Sequence, residues 1–162
     1  MQAKDIMSSP VYIVSPGENI AHARKTMLKH RISRLPVLEA KKLVGILTKK
    51  DIGYHLRQSE PIWRRRPIDH IPVSILMTPD PITISPETPT PRVAGLMIKH
   101  DISGLPVLEE DELVGIVTKA DLMQSEAVKK LSLRVADVME DAITVSRYHS
   151  LDHVIDLMKE RN

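Results

Sequence analysis

The stretch HRISRLPVLEAKKLVGILTKKD, residues 30–51, returns as HDISGLPVLEEDELVGIVTKAD at residues 100–121 without a gap. The offset of 70 reaches upstream as well, where Met7, Ser15, Pro16, Met27, Lys29 and His30 recur as Met77, Ser85, Pro86, Met97, Lys99 and His100. A repeat at fixed spacing marks a supersecondary unit that stacks on its copy to bury an apolar face. Leu35 to Leu38 and Leu43 to Leu47 are short apolar runs around the polar turn Glu39 to Lys42, and they predict two strands. Leu105 to Leu108 and Leu113 to Val117 predict the same pair again.

Upstream of each pair, Tyr12, Ile13 and Val14, or Ile82 and Ile84, predict a short strand closed by a Ser-Pro turn. A helix follows, with the apolar stripe Ile20, Ala23, Met27 and Leu28 in the first copy and Val93, Leu96 and Met97 in the second. Asn19 suits its N-cap, and Pro89 and Pro91 are tolerated in a first turn, where a missing N–H costs little. A second helix starts near Asp51 or Asp121. The order β-α-β-β-α gives an α+β fold built of α/β-type repeats. One such unit of about 50 residues is too small to bury a sizeable core alone, so the two are expected to pack together.

Composition narrows the classes. The chain has 162 residues, 42% of them hydrophobic, with no Phe, three Tyr, one Trp and eight Met, so its core is aliphatic. That lowers the case for single-stranded nucleic-acid binding by aromatic stacking. Cysteine is absent, which removes disulfides, thiolate metal sites and Cys nucleophiles. No apolar run approaches the roughly 18 residues that span a membrane, and the start does not read as a signal peptide, so a cytoplasmic protein is expected. A formal charge of only +2 gives no global attraction to a polyanion. The local exception is the repeat-breaking segment 57–72, with Arg57, Arg64, Arg65 and Arg66 beside Trp63. It reads first as a solvated linker and second as a polyphosphate, nucleic-acid or partner contact.

The chemistry concentrates at GILTKKD (Gly45 to Asp51) and its copy GIVTKAD (Gly115 to Asp121), where a strand ends and a helix begins. Helix-terminal N–H groups and a Thr hydroxyl can donate to phosphate, and Gly permits close approach of backbone. The Asp is an acceptor suited to a sugar diol. Thr with Asp at this spacing therefore reads as a ribose-phosphate grip. The same residues also serve as an N-cap and a favourable first-turn charge, a purely structural role.

The order Val-Met, Ser-Pro, helix, Leu-Pro-Val, Gly-x-x-Thr-x-x-Asp resembles the CBS (cystathionine-β-synthase) domain family. The resemblance covers residues 3–56 and 73–125 in full, and 134–162 in part. There Val138-Met139, Ile143 to Ser146 and a helix from about Leu151 form the opening half of a third repeat. Because that half ends before its strands, the chain is expected to be a piece of a longer protein with three or four repeats. The resemblance implies a tandem pair with two related clefts that bind AMP, ADP, ATP or S-adenosyl compounds such as S-adenosylmethionine. It also implies homodimers of pairs that regulate an attached or separate partner, here unknown.

Carried over by position, the resemblance gives cleft one as Ile46, Thr48 and Asp51 with Pro81, Ile82, Ile102 and Ser103. Cleft two is Ile116, Thr118 and Asp121 with Val11, Tyr12, Ile32, Ser33 and Arg34. The residue before Leu-Pro is Arg34 in one copy and Gly104 in the other. In related pairs a basic side chain there meets phosphate, so cleft two is expected to be the tighter site. No nucleophile-base pair, metal triad or Walker spacing occurs, so no catalytic residue, metal or catalytic cofactor is expected. His30 and His100 close helices at matching positions, and His149 and His153 can share a helix face without a third ligand. A purely structural dimerisation module is the remaining alternative.

Overall fold

The computed structural model describes residues 1–55, 70–125 and 134–160. The arginine cluster Arg57 to Arg66 lies outside the described residues. The chain divides into two compact units, Met1–Met123 and Gln124–Asn162.

In the first unit both copies build a helix, a two-stranded hairpin and a second helix, and the second copy adds a short helix and strand before them. The first has α1 (Ile20–Lys29), β1 (Arg34–Glu39), β2 (Lys42–Thr48) and α2 (Lys49–His55). The second has α3 (Val73–Leu76), β3 (Thr78–Pro79), α4 (Thr90–Lys99), β4 (Gly104–Glu109), β5 (Glu112–Thr118) and α5 (Lys119–Gln124). Asn19 caps α1 as expected, its Oδ1 accepting the His22 N–H at 3.0 Å. Pro89 is the N-cap of α4 and Pro91 sits in its first turn. β1 and β2 pair antiparallel from Arg34↔Thr48 to Glu39↔Lys42, with a register shift at Val37/Leu38. β4 and β5 repeat that register from Gly104↔Thr118, with the shift at Val107/Leu108. Both hairpins turn through two successive left-handed residues, Ala40-Lys41 and Glu110-Asp111, the conformation that matches strand twist in a two-residue loop.

Two expectations need correction. Tyr12 to Val14 and Ile82 to Ile84 do not form strands; only single parallel bridges, Val14↔Val37 and Ile84↔Val107, are made. Val14 donates to Pro36 O and accepts from Leu38 N, and no neighbour joins it in the ladder. Pro10 and Pro16, lacking N–H groups, bracket the segment and keep it short. Leu28, assigned to the buried stripe of α1, is 67% exposed, because Ile20, Ala23 and Met27 already complete the inward face.

What the offset of 70 conceals is an exchange. Ala3, from the start of the chain, is fully buried in the second repeat's core with Ile84, Val93, Met97, Leu105, Val107 and Val117. Its N–H donates to Thr88 O, and Ser8 trades backbone bonds with Ile116 of β5. Reciprocally, Ile71 and Val73 are buried in the first repeat's core with Val14, Ile20, Met27, Leu35, Val37 and Leu47. There Ile20 N donates to Ile71 O, and β3 adds to the edge of β2. Each compact body is therefore discontinuous in sequence, and each repeat is completed by the other's opening segment.

This exchange supplies the reason for Gly45 and Gly115. A Cβ at Gly45 would meet Met77 Cγ and Thr78 O, both at 3.1 Å, and one at Gly115 would meet Met7 Cγ at 2.9 Å. The close approach these glycines allow is of the exchanged methionines, not of a ligand.

The second unit has a 3-10 turn at Val135–Asp137 and helix α6 (Leu151–Glu160). In the turn Arg134 N donates to Asp137 Oδ2 at 3.1 Å. The first repeat opens on the same turn, Ala3–Asp5, with Gln2 N donating to Asp5 Oδ2 at 2.7 Å. Among the described residues no helix is long and apolar enough to cross a membrane.

Val73→Ala is expected to lower the unfolding free energy by about 2 kcal/mol, within the range for large-to-small core changes. In amide hydrogen exchange the loss should be read in α1 and β1, the other repeat. Loss confined to α4 and β4 would contradict the exchange.

Candidate functional site

At the end of each second hairpin strand the chain turns directly into a helix, and both junctions close the same ring. Thr48 N and Thr48 Oγ1 each donate to Asp51 Oδ2 at 2.7 Å, and Asp51 N donates back to Thr48 Oγ1 at 3.2 Å. Thr118 and Asp121 repeat this at 2.8, 2.6 and 3.4 Å. The ring is a cap that satisfies helix-terminal donors from within the chain. It also commits the one hydroxyl proton of each Thr to Asp. The phosphate-donor role read from sequence is therefore closed to Thr48 and Thr118 in this arrangement, which leaves them lone-pair acceptors. Lys49 N and Lys119 N are likewise taken, by Ser33 O at 2.9 Å and Ser103 O at 3.2 Å.

All eight residues assigned to cleft two line one cavity of about 430 Å³, a size typical of small-ligand sites. Val11 and Tyr12 come from the opening segment, Ile32 and Ser33 from the turn between α1 and β1, and Arg34 from the start of β1. Ile116, Thr118 and Asp121 come from the β5–α5 junction. The exchange at Ser8 and Ile116 brings the first and last of these groups together. The apolar wall is thus Val11, Ile32 and Ile116, with Tyr12 stacked on His30 at a ring separation of 3.7 Å and an interplanar angle of 23°.

Arg34 is the cavity's main charge. Its Nη2 donates to Ser103 Oγ at 2.9 Å, and its Nε is buried with no hydrogen-bond partner. Burial lowers the pKa of the guanidinium, opposed by the nearby Asp121 carboxylate. The group remains protonated, since arginine does not give up its proton in proteins. A desolvated cation with an unmatched donor, beside a cavity, is an arrangement that an anion compensates.

Sequence reasoning missed three contributors. Arg31 and Lys119 add two cations to the lining, and Ser103, assigned to cleft one, faces cleft two through Arg34. The signal for Arg31 lay in the repeat itself, where its counterpart is Asp101.

Of the cleft-one residues, Ile46 pairs with Thr78 of β3, and Thr48 and Asp51 form their ring. Ile102 packs on the second core, while Ile82 is 36% exposed beside Pro81. Relative to cleft two, the repeat places Asp80, Asp101 and Gly104 where Pro10, Arg31 and Arg34 stand. At these three positions the second repeat has two acids and a glycine where the first has a proline and two arginines. Among the described residues no group of three His, Cys, Asp or Glu side chains could hold a metal ion.

Comparison with known proteins agrees with this architecture. The family model for the CBS domain matches residues 3–57 and 68–127. The CBS domain-containing protein YhcV of Bacillus subtilis is 34% identical over 119 residues, covering 74% of this chain and 81% of its own. An inosine-5'-monophosphate dehydrogenase of Korarchaeum cryptofilum is 35% identical over 127 residues, 78% of this chain but 24% of the enzyme. The chain thus spans about a quarter of that relative's length. Among solved structures, the CBS domain pair of protein MJ0100, in complex with 5'-methylthioadenosine and S-adenosyl-L-methionine, superposes with a TM-score of 0.70 at 34% identity. That match covers 80% of this chain and 98% of the pair.

If the Thr-Asp ring is a cap first, Asp51→Ala and Asp121→Ala should each lower the stability of the ligand-free chain by about 0.5–2 kcal/mol in urea titrations. Thr118→Val should match Asp121→Ala. Unchanged midpoints would remove the cap from the account.

Proposed function

Because the chain belongs to the CBS domain family, we propose that its two repeats form a regulatory ligand sensor whose principal ligand is an adenine nucleotide, AMP, ADP or ATP, held in cleft two. The observation that carries this is Arg34, a half-buried arginine whose Nε is buried and partnerless, set in the same cavity as Asp121 and an apolar wall. In this reading the base lies against Val11, Ile32 and Ile116, with the stacked Tyr12 at its edge. Asp121 accepts from the ribose hydroxyls, and Arg34, with Arg31 and Lys119, meets phosphate. The Thr118 ring holds Asp121 in place rather than touching phosphate itself.

A second reading replaces the nucleotide with an S-adenosyl compound. It is favoured by the MJ0100 pair, whose ligands carry an adenosyl group and no phosphate. The cations of cleft two weigh against it there.

The same proposal includes a homodimer of pairs, supported by Leu28 and Ile98, which stand exposed at repeat-related positions. It includes residues 134–162 as the opening of a third repeat, supported by the turn shared between Val135–Asp137 and Ala3–Asp5. Occupancy is transmitted by favouring one of two conformations of the regulated protein, and no turnover is involved.

A thermal-shift titration with AMP, ADP, ATP and S-adenosylmethionine tests the ligand. A nucleotide at about 100 times its dissociation constant should stabilise the fold by about 2.7 kcal/mol. Arg34→Ala should weaken nucleotide binding roughly ten- to hundredfold, the worth of one charge-assisted hydrogen bond, and leave S-adenosylmethionine untouched. A shift with S-adenosylmethionine alone, indifferent to Arg34, would put the second reading first. Consumption of ATP that a cleft substitution abolishes would overturn the non-catalytic account.

A further inference from the structure

Arg34 and Gly104 are the same position in the two repeats, each the first residue of its hairpin and each paired with the threonine of its ring. In the folded pair they meet. A Cβ built on Gly104 would collide with Arg34 Nη1 and lie 2.8 Å from its Cδ and 2.9 Å from its Cζ. The backbone at Gly104 is not in the left-handed region, so nothing in its conformation demands glycine. What it provides is the room in which the guanidinium lies.

Both sides of this space offer an anchor. Arg34 Nη2 donates to Ser103 Oγ at 2.9 Å and, more weakly, to Ser33 Oγ at 3.4 Å, and these two serines are themselves repeat-related. At this contact the serines match and position 34/104 does not, and the space holds one long side chain. A second arginine at 104 would need the same space and would place two like charges in a poorly solvated site.

We propose that Gly104 is the positioning residue that makes the module one-sided: by leaving room for Arg34 it lets that guanidinium lie at the repeat junction in cleft two, beside Arg31, so that the pair takes a single phosphate-bearing ligand. The inference rests on cleft two being the nucleotide site. It adds that the selectivity for phosphate resides in a residue with no side chain, in the repeat opposite the arginine.

The colliding atoms belong largely to the flexible end of Arg34, so Gly104→Ala should fold and displace the guanidinium rather than disrupt the strands. Two measurements on the intact chain decide the matter. In ligand-free urea unfolding, Gly104→Ala should shift the midpoint in the presence of Arg34 and have little effect in the Arg34→Ala background. Additive effects would overturn the steric claim.

In calorimetric titrations the unmodified chain should bind one AMP. Gly104→Ala should weaken AMP about tenfold or more while leaving adenosine affinity unchanged, and in the Arg34→Ala background it should alter neither affinity. Unaltered AMP affinity in Gly104→Ala, or two equivalent AMP sites per chain, would overturn the proposal. If neither AMP nor adenosine bound the unmodified chain, the nucleotide reading and the ligand side of this proposal would fall together. The stability cycle would still show whether the packing relation holds.

Discussion

Methionine against glycine is the contact on which the rest depends. Met77 fills the space over Gly45 and Met7 the space over Gly115, and through them each repeat's opening segment is fixed on the other repeat's hairpin. A flexible thioether suits such a joint, since it fills an irregular gap without demanding a single shape. With the segments exchanged, Ala3 and Val73 enter cores that their own repeats could not complete. Neither half then has a sealed core by itself, which is how units too small to be independent become one body.

The same exchange builds the cavity. The opening segment that brings Ser8 to β5 also carries Val11 and Tyr12 across to the β5–α5 junction, where Thr118 and Asp121 stand. A site made this way belongs to both repeats, so whatever it binds reports on their relative placement. That coupling is the physical basis for a regulatory role: a ligand that spans the two repeats can favour one arrangement of them over another. The repeat relates this site to a second set of positions that differs in charge, with Asp101 and Gly104 where Arg31 and Arg34 stand.

Much of this was legible in the sequence because the repeat doubles every signal. Strand pairs and the cap at Asn19 follow from periodicity and spacing, and the eight residues that line the cavity follow from family resemblance. The exchange was not legible, for a physical reason: trading equivalent segments between equivalent copies leaves the offset of 70 unchanged, and Gly45 is as good a seat for either methionine. The short strand at Tyr12 to Val14 failed because prolines on both sides deny it neighbours in the ladder. The ring at Thr118 was not read either, because its hydroxyl is seen to donate to Asp121, three residues away, only once the strand-to-helix junction is built. Arg31 was within reach of the sequence, since the repeat sets Asp101 against it, but that difference was not weighed.

The central claim is that two sequence-related clefts have become chemically distinct, with nucleotide confined to one. A backbone NMR titration with AMP tests it most directly. The account predicts that amide resonances of Val11, Tyr12, Ile32, Thr118 and Asp121 move together, while those of Ile82, Ile102, Thr48 and Asp51 stay in place. Equal movement of both sets, or movement of the second alone, would contradict it.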